Sequence, residues 1–507
     1  MLARVSTFTI DGLEPRHVTV EIDVRLGLPA FTIVGLADRA VRESRDRVHA
    51  AILNSGFEFP QKRVTVNMAP AWLRKTGPGF DLAIACAILA VGGHVPAEAL
   101  ERYAVFGELG LGGEIRACRG ALAVAEGAAC AGIAGLIVPR ERALEAALVD
   151  GLDVVGASSL RQVTEILRGE EVAPAPEPQA AVVPAPARQP DLVDVRGHAN
   201  VIETLTIAAA GGHNLLMSGP PGVGKTMLAR RLPSILPPLS KTEALEVTRI
   251  HSIAGVHRGL GLVGERPFRA PHHLISASAL VGGGSVPAPG EASLAHHGVL
   301  FLDELSEFPR PALEALRQPL EDGRVAIVRG QRTAIFPTRF MLVGATNPCP
   351  CGHAPAPRCR CNENDLARHA RRLSGPLLDR IDLVVHVQRP SAEHLAQPPA
   401  TRSEAVRERV LAARGRQVHR FDGTAALCNA HMDAQLLRRH VDLDEDADIP
   451  LVDVYRRGEL SARGRDRTLR VARTIADLAG EERVLREHVV AALGYRHEAA
   501  DVIGAAA

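Results

Sequence analysis

The sequence predicts an α/β protein in three parts: a mixed α+β block over residues 1–170, a parallel α/β block over 191–390 and an α-helical block over 391–507. Three observations predict this division. At 214–232 a short apolar run enters a glycine-rich loop and leaves it as a helix, the start of a doubly wound parallel sheet. Over 171–190, Pro and Ala supply 12 of 20 residues, the composition of a semi-rigid, extended linker and a domain boundary. Beyond residue 401 the apolar spacing is mainly helical. A chain of 507 residues has the length of about three ordinary domains.

In the first block, residues 1–10 read as a strand rather than a charged and apolar leader. Val18, Val20, Ile22 and Val24 alternate with polar residues, as do positions 64–68, which marks half-buried strands. Segments 40–53 and 80–91 have helical spacing. The longest apolar run, 82–91, is ten residues and too short to span a bilayer. A soluble, cytoplasmic protein without a membrane partner is expected. The net charge is +1, so no global basic field announces nucleic acid and any such surface must be local. Aromatics are 3% of the chain, with the single tryptophan Trp72, which argues against a base-stacking platform.

The middle block carries the chemistry. Only four of the chain's 59 basic residues are lysines, and one is Lys225. It sits in Gly219, Pro220, Pro221, Gly222, Val223, Gly224, Lys225, Thr226, the G-x-x-x-x-G-K-[ST] pattern. Glycines let backbone N–H groups close around phosphates, and a compact ammonium reaches the β- and γ-phosphates where a planar guanidinium fits badly. The Thr226 hydroxyl is placed for Mg²⁺. The helix that follows turns its N-terminal dipole towards the anion. Residues 299–304 are four apolar positions ending in Asp303 and Glu304: a buried strand with one carboxylate for the Mg²⁺ shell and one to polarise water. A third apolar strand, 339–346, ends at Asn347, a polar tip able to reach the γ-phosphate or the water. ATP and Mg²⁺ are the implied cofactors.

Two further features lie between and beyond these strands. Residues 324–336 read as two strands joined by a tight turn at Gly330, flanked by Arg329 and Arg332. Cys349, Cys351, Cys359 and Cys361 form two C-x-C pairs within 13 residues, with His353 between them. In a cytosolic chain, four thiolates so close suit a tetrahedral Zn²⁺ site, with free or redox-active thiols as the other reading. His272 and His273 read as a histidine pair on a strand without an acidic or cysteine partner at metal spacing. After a polar connector at 391–400, helices are expected at 404–414, 434–440, 467–479 and 487–493.

Asn347 and the 374–383 segment Ser-Gly-Pro-Leu-Leu-Asp-Arg-Ile-Asp-Leu resemble the AAA+ ATPases of the magnesium-chelatase and MCM branch. The resemblance makes Asn347 sensor 1 and Arg380 an arginine finger that completes a neighbouring subunit's site. In Leu-Ser-Ala-Arg-Gly-Arg-Asp-Arg at 460–467 it makes Arg463 sensor 2, with Arg467 and Arg470 as substitutes. Phe-Arg-Ala-Pro-His-His-Leu-Ile-Ser at 268–276, Pro-Cys-Pro-Cys-Gly at 348–352 and Leu-Arg-Val-Ala-Arg-Thr-Ile-Ala-Asp-Leu at 469–478 narrow it to the YifB/ComM family, over nearly the whole chain. That resemblance implies a homo-hexameric ring and an ATP-driven DNA motor. It implies branch migration or helicase action on recombination intermediates in natural transformation, alongside recombination proteins. Arg329 and Arg332 would then line the ring's channel and track DNA phosphates, single-stranded or branched, without reading sequence. His272 and His273 would belong to the insert before the Asp303 strand and face the channel. A chelatase-type motor remodelling a protein partner or a metal-insertion complex is the alternative.

The first block resembles the Lon protease domain without its catalytic pair. Gly79 stands at the serine position of Gly-Pro-Gly-Phe-Asp (77–81), and Leu122 at the lysine position. A Ser/Lys pair needs both a nucleophile and a base, so no protease activity is expected.

Overall fold

The computed structural model describes residues 2–171, 190–257, 261–284, 286–329, 332–354, 358–372, 375–396 and 401–504. Apart from its two end residues, the 171–190 linker lies outside the described residues. The chain forms two compact units, neither of them one stretch of sequence. The first gathers Met1–Ala185 with Lys241–Gly264 and Gly330–Ile335; the second gathers Pro186–Ser240, Glu265–Arg329 and Phe336–Ala507.

The first unit is built on a seven-stranded mixed sheet. Its spatial order is Asp153–Ala157, Gly135–Pro139, Tyr103–Val105, Leu2–Asp11, Glu14–Arg25, Arg63–Ala69, Ala30–Val34. The first two strands in sequence form an antiparallel hairpin, pairing Val5 with Val20 and closing through Gly12 at φ +67°. The alternation read at 17–24 places Val18, Val20 and Ile22 in the core. Helix Asp81–Val91 is apolar on all sides and buried at nine of its eleven positions, as a central helix must be. Its one charge, Asp81, accepts from Arg47 Nε at 2.6 Å, from Ser44 Oγ, and from Leu109 N at 3.3 Å. The neighbouring Asp81 carboxylate raises the Arg47 pKa. Helix Lys241–Ala254 joins this unit through Ser252, whose hydroxyl accepts from Gly120 N at 3.0 Å and donates to Glu145.

The two positions where the Lon resemblance fails are closed by packing. A Cβ on Gly79 would lie 2.3 Å from the Phe106 ring, and Leu122 is fully buried.

The second unit holds a five-stranded, all-parallel sheet in the order Phe268–Arg269, Val299–Leu302, Met341–Thr346, Leu215–Ser218, Leu383–His386. A strand's period of two sorts its residues to opposite faces. Leu215, Met217, Phe301, Val343 and Val385 face one core, which they share with Val410, Val471 and Val489 of the C-terminal helices. Leu216, Leu300, Leu302, Leu342 and Val384 face the other, with Leu305, Leu313 and Ile381. The sheet is therefore covered on both faces, as parallel sheets require.

Among the C-terminal helices, Ala434–His440 has the bounds its periodicity predicts, whereas Ser403–Arg420, Ala462–Ala479 and Arg486–Gly504 run longer, and an unexpected fifth forms at Ile449–Arg456. Buried ion pairs fix them. Asp477 accepts from Arg420 at 2.6 and 2.8 Å, Asn429 at 2.8 Å and Arg473 at 3.1 Å. Asp382 accepts from Arg467 at 2.9 Å and Asn214 N at 3.0 Å, with His213 Nδ1 at 3.6 Å. Burial would raise the Asp382 pKa, but His213, Arg467 and the Asn214 N–H outweigh it and hold the carboxyl well below the usual range.

Two outcomes are expected in unfolding experiments. Gly79→Ser should destabilise the chain by about 1–3 kcal/mol through overpacking against Phe106; an unchanged urea midpoint would contradict that contact. Asp382→Asn should cost about 3–5 kcal/mol, because it leaves the half-buried guanidinium of Arg467 without its anionic partner. The folded pKa of Asp382 is depressed, so its contribution is full above the unfolded value of about 3.9 and is lost as pH falls towards the folded one. Acid unfolding of Asp382→Asn should lack that component; the same acid profile in both proteins would contradict the ion pair.

Candidate functional site

The glycine-rich loop leaves the tip of strand Leu215–Ser218 and ends in the short helix Lys225–Ala229. Gly219 has no room for a side chain: a Cβ there would meet the Val387 carbonyl oxygen at 2.3 Å. Gly224 turns the chain into the helix at φ +96°, in the left-handed region glycine favours.

Lys225 is buried and its ammonium is fully engaged. Nζ donates to Gly219 O at 2.6 Å, Pro220 O at 2.9 Å and Asn347 Oδ1 at 3.0 Å. Burial lowers its pKa, opposed by the charges of Asp303 and Glu304. Thr226 Oγ1 donates to Asp303 Oδ2 at 2.6 Å, and Asp303 Oδ1 accepts from Glu304 N at 3.0 Å. Thr226 and Asp303 thus present two hard oxygens side by side, the donor set that suits Mg²⁺. The parallel sheet brings the three tips together, with Asn347 following Thr346 and Asp303 following Leu302. They line one cleft of about 390 Å³ with Pro221, Gly222, Gly224, Lys225, Thr226 and Glu304.

Glu304 holds φ +53°, a strained conformation for a residue with a side chain. Its Oε2 lies 3.4 Å from His273 Nδ1, and the His272 and His273 rings lie 4.1 Å apart. The histidines occupy the loop between Phe268–Arg269 and helix Ala277–Val281, not a strand. This corrects the sequence reading: the acidic partner it lacked is Glu304, supplied 31 positions on by the fold rather than at a fixed local spacing.

A second cavity, of about 530 Å³, is lined by Val195, Gly197, His198, Ile202, Arg389 and Thr401 among others. His198 Nε2 lies within 4.0 Å of where a Gly224 Cβ would sit, so it borders the loop. The sequence reading missed these residues, because a mixed wall drawn from segments almost 200 residues apart has no motif.

Arg380 is almost wholly buried and its guanidinium pairs with Glu321 of the same chain. Its carbonyl accepts from Asn214 Nδ2 at 2.9 Å. Arg463 is exposed in the first turn of helix Ala462–Ala479. Arg467 binds Asp382, and burial lowers the pKa of Arg470. Among the described residues, none of these four arginines lines the 390 Å³ cleft. Strands Arg324–Arg329 and Arg332–Pro337 pair as a two-stranded sheet with Arg329 exposed. The turn at 330–331 and the Arg332 side chain lie outside the described residues.

The four cysteines converge. Cys349 and Cys351 Sγ are 3.4 Å apart, Cys349 and Cys359 3.8 Å, Cys351 and Cys359 3.6 Å. With Cys361, one sulfur from each lies within 4.8 Å of the others. Backbone hydrogen bonding, led by Arg360, pulls the Cys351 thiol down to about 6.

Comparison with known proteins agrees with this geometry. Residues 191–395 match the family described as magnesium chelatase, subunit ChlI; residues 20–142 match subunit ChlI of Mg-chelatase; and residues 400–496 match the magnesium chelatase subunit ChlI C-terminal family. The chain is 42% identical to the uncharacterised protein YifB of Escherichia coli over 497 residues, 98% of this chain and 97% of that one. It is 42% identical to competence protein ComM of Haemophilus influenzae over 491 residues, 96% of this chain and 95% of that one. Over 224 residues it is 29% identical to the Holliday junction branch migration complex subunit RuvB of Paenarthrobacter aurescens, 42% of this chain and 48% of that one.

Lys225→Ala should abolish binding of a fluorescent ATP analogue, and Lys225→Arg should rescue little of it, since the guanidinium cannot meet the same three acceptors. Full binding by Lys225→Arg would show that charge alone suffices there.

Proposed function

The chain belongs to the YifB/ComM family of magnesium-chelatase-like AAA+ proteins, and from that premise we propose that it is an ATP-driven motor acting on branched DNA in recombination. The observation that carries this reading is the convergence of Lys225, Asn347, Thr226 and Asp303 on neighbouring strand tips, beside Glu304. ATP and Mg²⁺ are its cofactors. Lys225 meets the β- and γ-phosphates, Thr226 and Asp303 hold the Mg²⁺ shell, and Glu304 orients the attacking water with Asn347 close to the γ-phosphate. The nucleoside lies in the His198 cavity.

The ring is a homo-hexamer, with Arg380 of one subunit completing the next subunit's site. Its pairing with Glu321 must break for that, which makes assembly the step that frees the finger. Arg463 acts in the same sites. Arg329 and Arg332 track the DNA backbone from the hairpin. The names of two relatives, competence protein ComM and a Holliday junction branch migration subunit, support branch migration during natural transformation as the task. The 1–170 block, whose Gly79 and Leu122 supply neither nucleophile nor base, serves assembly or DNA contact and not proteolysis. The 191–390 block carries the motor and the 391–507 block its helical lid.

A second reading, remodelling of a protein partner or a metal-insertion complex, is favoured by the chelatase descriptions of the matching families. ATP turnover with and without DNA separates the two. On the motor reading four-way junctions stimulate turnover, and Arg329→Ala reduces the stimulation and flattens its salt dependence. Turnover indifferent to every DNA form would leave the partner-remodelling reading. Arg380→Ala should lower turnover by about 10³-fold or more. Mixing it with Lys225→Ala should recover part of the activity, because some sites then combine an intact P-loop with an intact finger; no recovery would contradict a finger acting between subunits.

A further inference from the structure

We propose that Cys349, Cys351, Cys359 and Cys361 bind a structural Zn²⁺, and that this metal holds the Asn347 strand tip against the P-loop. A tetrahedral site with Zn–S bonds of about 2.3 Å has sulfur-to-sulfur edges of about 3.8 Å. The three separations among Cys349, Cys351 and Cys359, 3.4, 3.6 and 3.8 Å, fall at or just inside that edge. Cys349 is fully buried and accepts two backbone N–H groups, from His353 at 3.2 Å and Ala354 at 3.3 Å. A neutral thiol is a weak acceptor; two N–H donors on one buried sulfur suit a thiolate, and hydrogen bonds of that kind orient and tune metal ligands. Four thiolates this close repel unless a cation lies among them.

The segment needs such a clamp. Among its described residues, 347–362 contain no helix and no strand, so no backbone ladder holds it. Yet it touches the nucleotide site twice. Asn347, which binds Lys225, lies two residues before Cys349. Gly352, at φ +78° between the two cysteine pairs, packs so closely on the P-loop that a Cβ there would lie 2.5 Å from Pro221 Cδ. On the far side, helix Glu363–Arg372 starts two residues after Cys361 and returns His369 Nε2 to the Asn347 carbonyl at 2.9 Å. A metal joining the two cysteine pairs closes this loop onto both.

The metal assignment stands on the cysteines alone; its coupling to the site rests on the nucleotide reading above. The test is metal analysis of the full chain purified without chelator, together with binding of a fluorescent ATP analogue. About one zinc per chain is expected. Cobalt exchanged into the protein should give the visible bands of a tetrahedral four-sulfur site. Cys359→Ser should lose the metal and bind the analogue about tenfold or more weakly. Cys359→His, which keeps a ligand, should restore both, and Cys130→Ser should change neither. Lys225→Ala should lose nucleotide but keep its zinc, so failure of the nucleotide reading leaves a different signature from failure of the metal site. Wild-type chain without metal and with all four thiols titratable would overturn the proposal, as would zinc retained by Cys359→Ser. Zinc lost with analogue affinity unchanged would overturn the coupling.

Discussion

The ammonium of Lys225 is the interaction on which the site depends. It has three hydrogens, and three acceptors take them: the carbonyls of Gly219 and Pro220 and the amide oxygen of Asn347. Two of these belong to the loop that Lys225 itself ends, and the third to a strand more than a hundred residues away. One buried charge therefore sets the loop's curvature and its distance from the neighbouring strand tip. In a partly desolvated cleft these bonds count for more than they would in water. They also hold the lysine where phosphate oxygens can replace the carbonyls as its partners.

The sheet makes that triangle available. Parallel strands end at the same edge, so loops that follow them converge without further instruction. At the opposite edge, where the strands begin, Asn214 keeps the register: its amide donates to the Arg380 carbonyl, its oxygen accepts from Leu342 N at 2.9 Å, and its own N–H binds Asp382. Asp382 then passes the constraint to Arg467 in the C-terminal helices. Strand starts, Arg380 segment and helical region are thereby linked through one polar cluster, with the two hydrophobic cores on either side of the sheet.

Much of this was legible in the sequence, for physical reasons that differ by element. The P-loop, Asp303 and Asn347 were legible because each needs a particular residue type next to an apolar strand. The strands at 17–24 and 64–68 were legible because one face is buried. Helix Ile449–Arg456 was missed because Pro450, harmless in a first turn, reads as a breaker. Helix Ala462–Ala479 begins five residues before its periodic stretch because Ser461 caps it by accepting from Gly464 N at 3.0 Å, in a segment whose glycine reads as a loop. The partners of Glu304 and Arg380 were beyond reach. His273 and Glu321 meet them only through the fold, and no local spacing encodes either contact. Nor does any composition signal mark helix Lys241–Ala254, which follows the P-loop in sequence but joins the first compact unit.

The central claim is that hydrolysis at this site does work on DNA. It is tested most directly by following the branch point of a fluorescently labelled four-way junction during ATP turnover. The account predicts that the wild-type chain moves the branch point only with ATP and Mg²⁺. It predicts that Glu304→Gln, which leaves Lys225, Thr226 and Asp303 in place, binds ATP but leaves the junction where it is. A protein that hydrolyses ATP beside a bound junction without moving it, or moves it equally well as Glu304→Gln, would contradict the account.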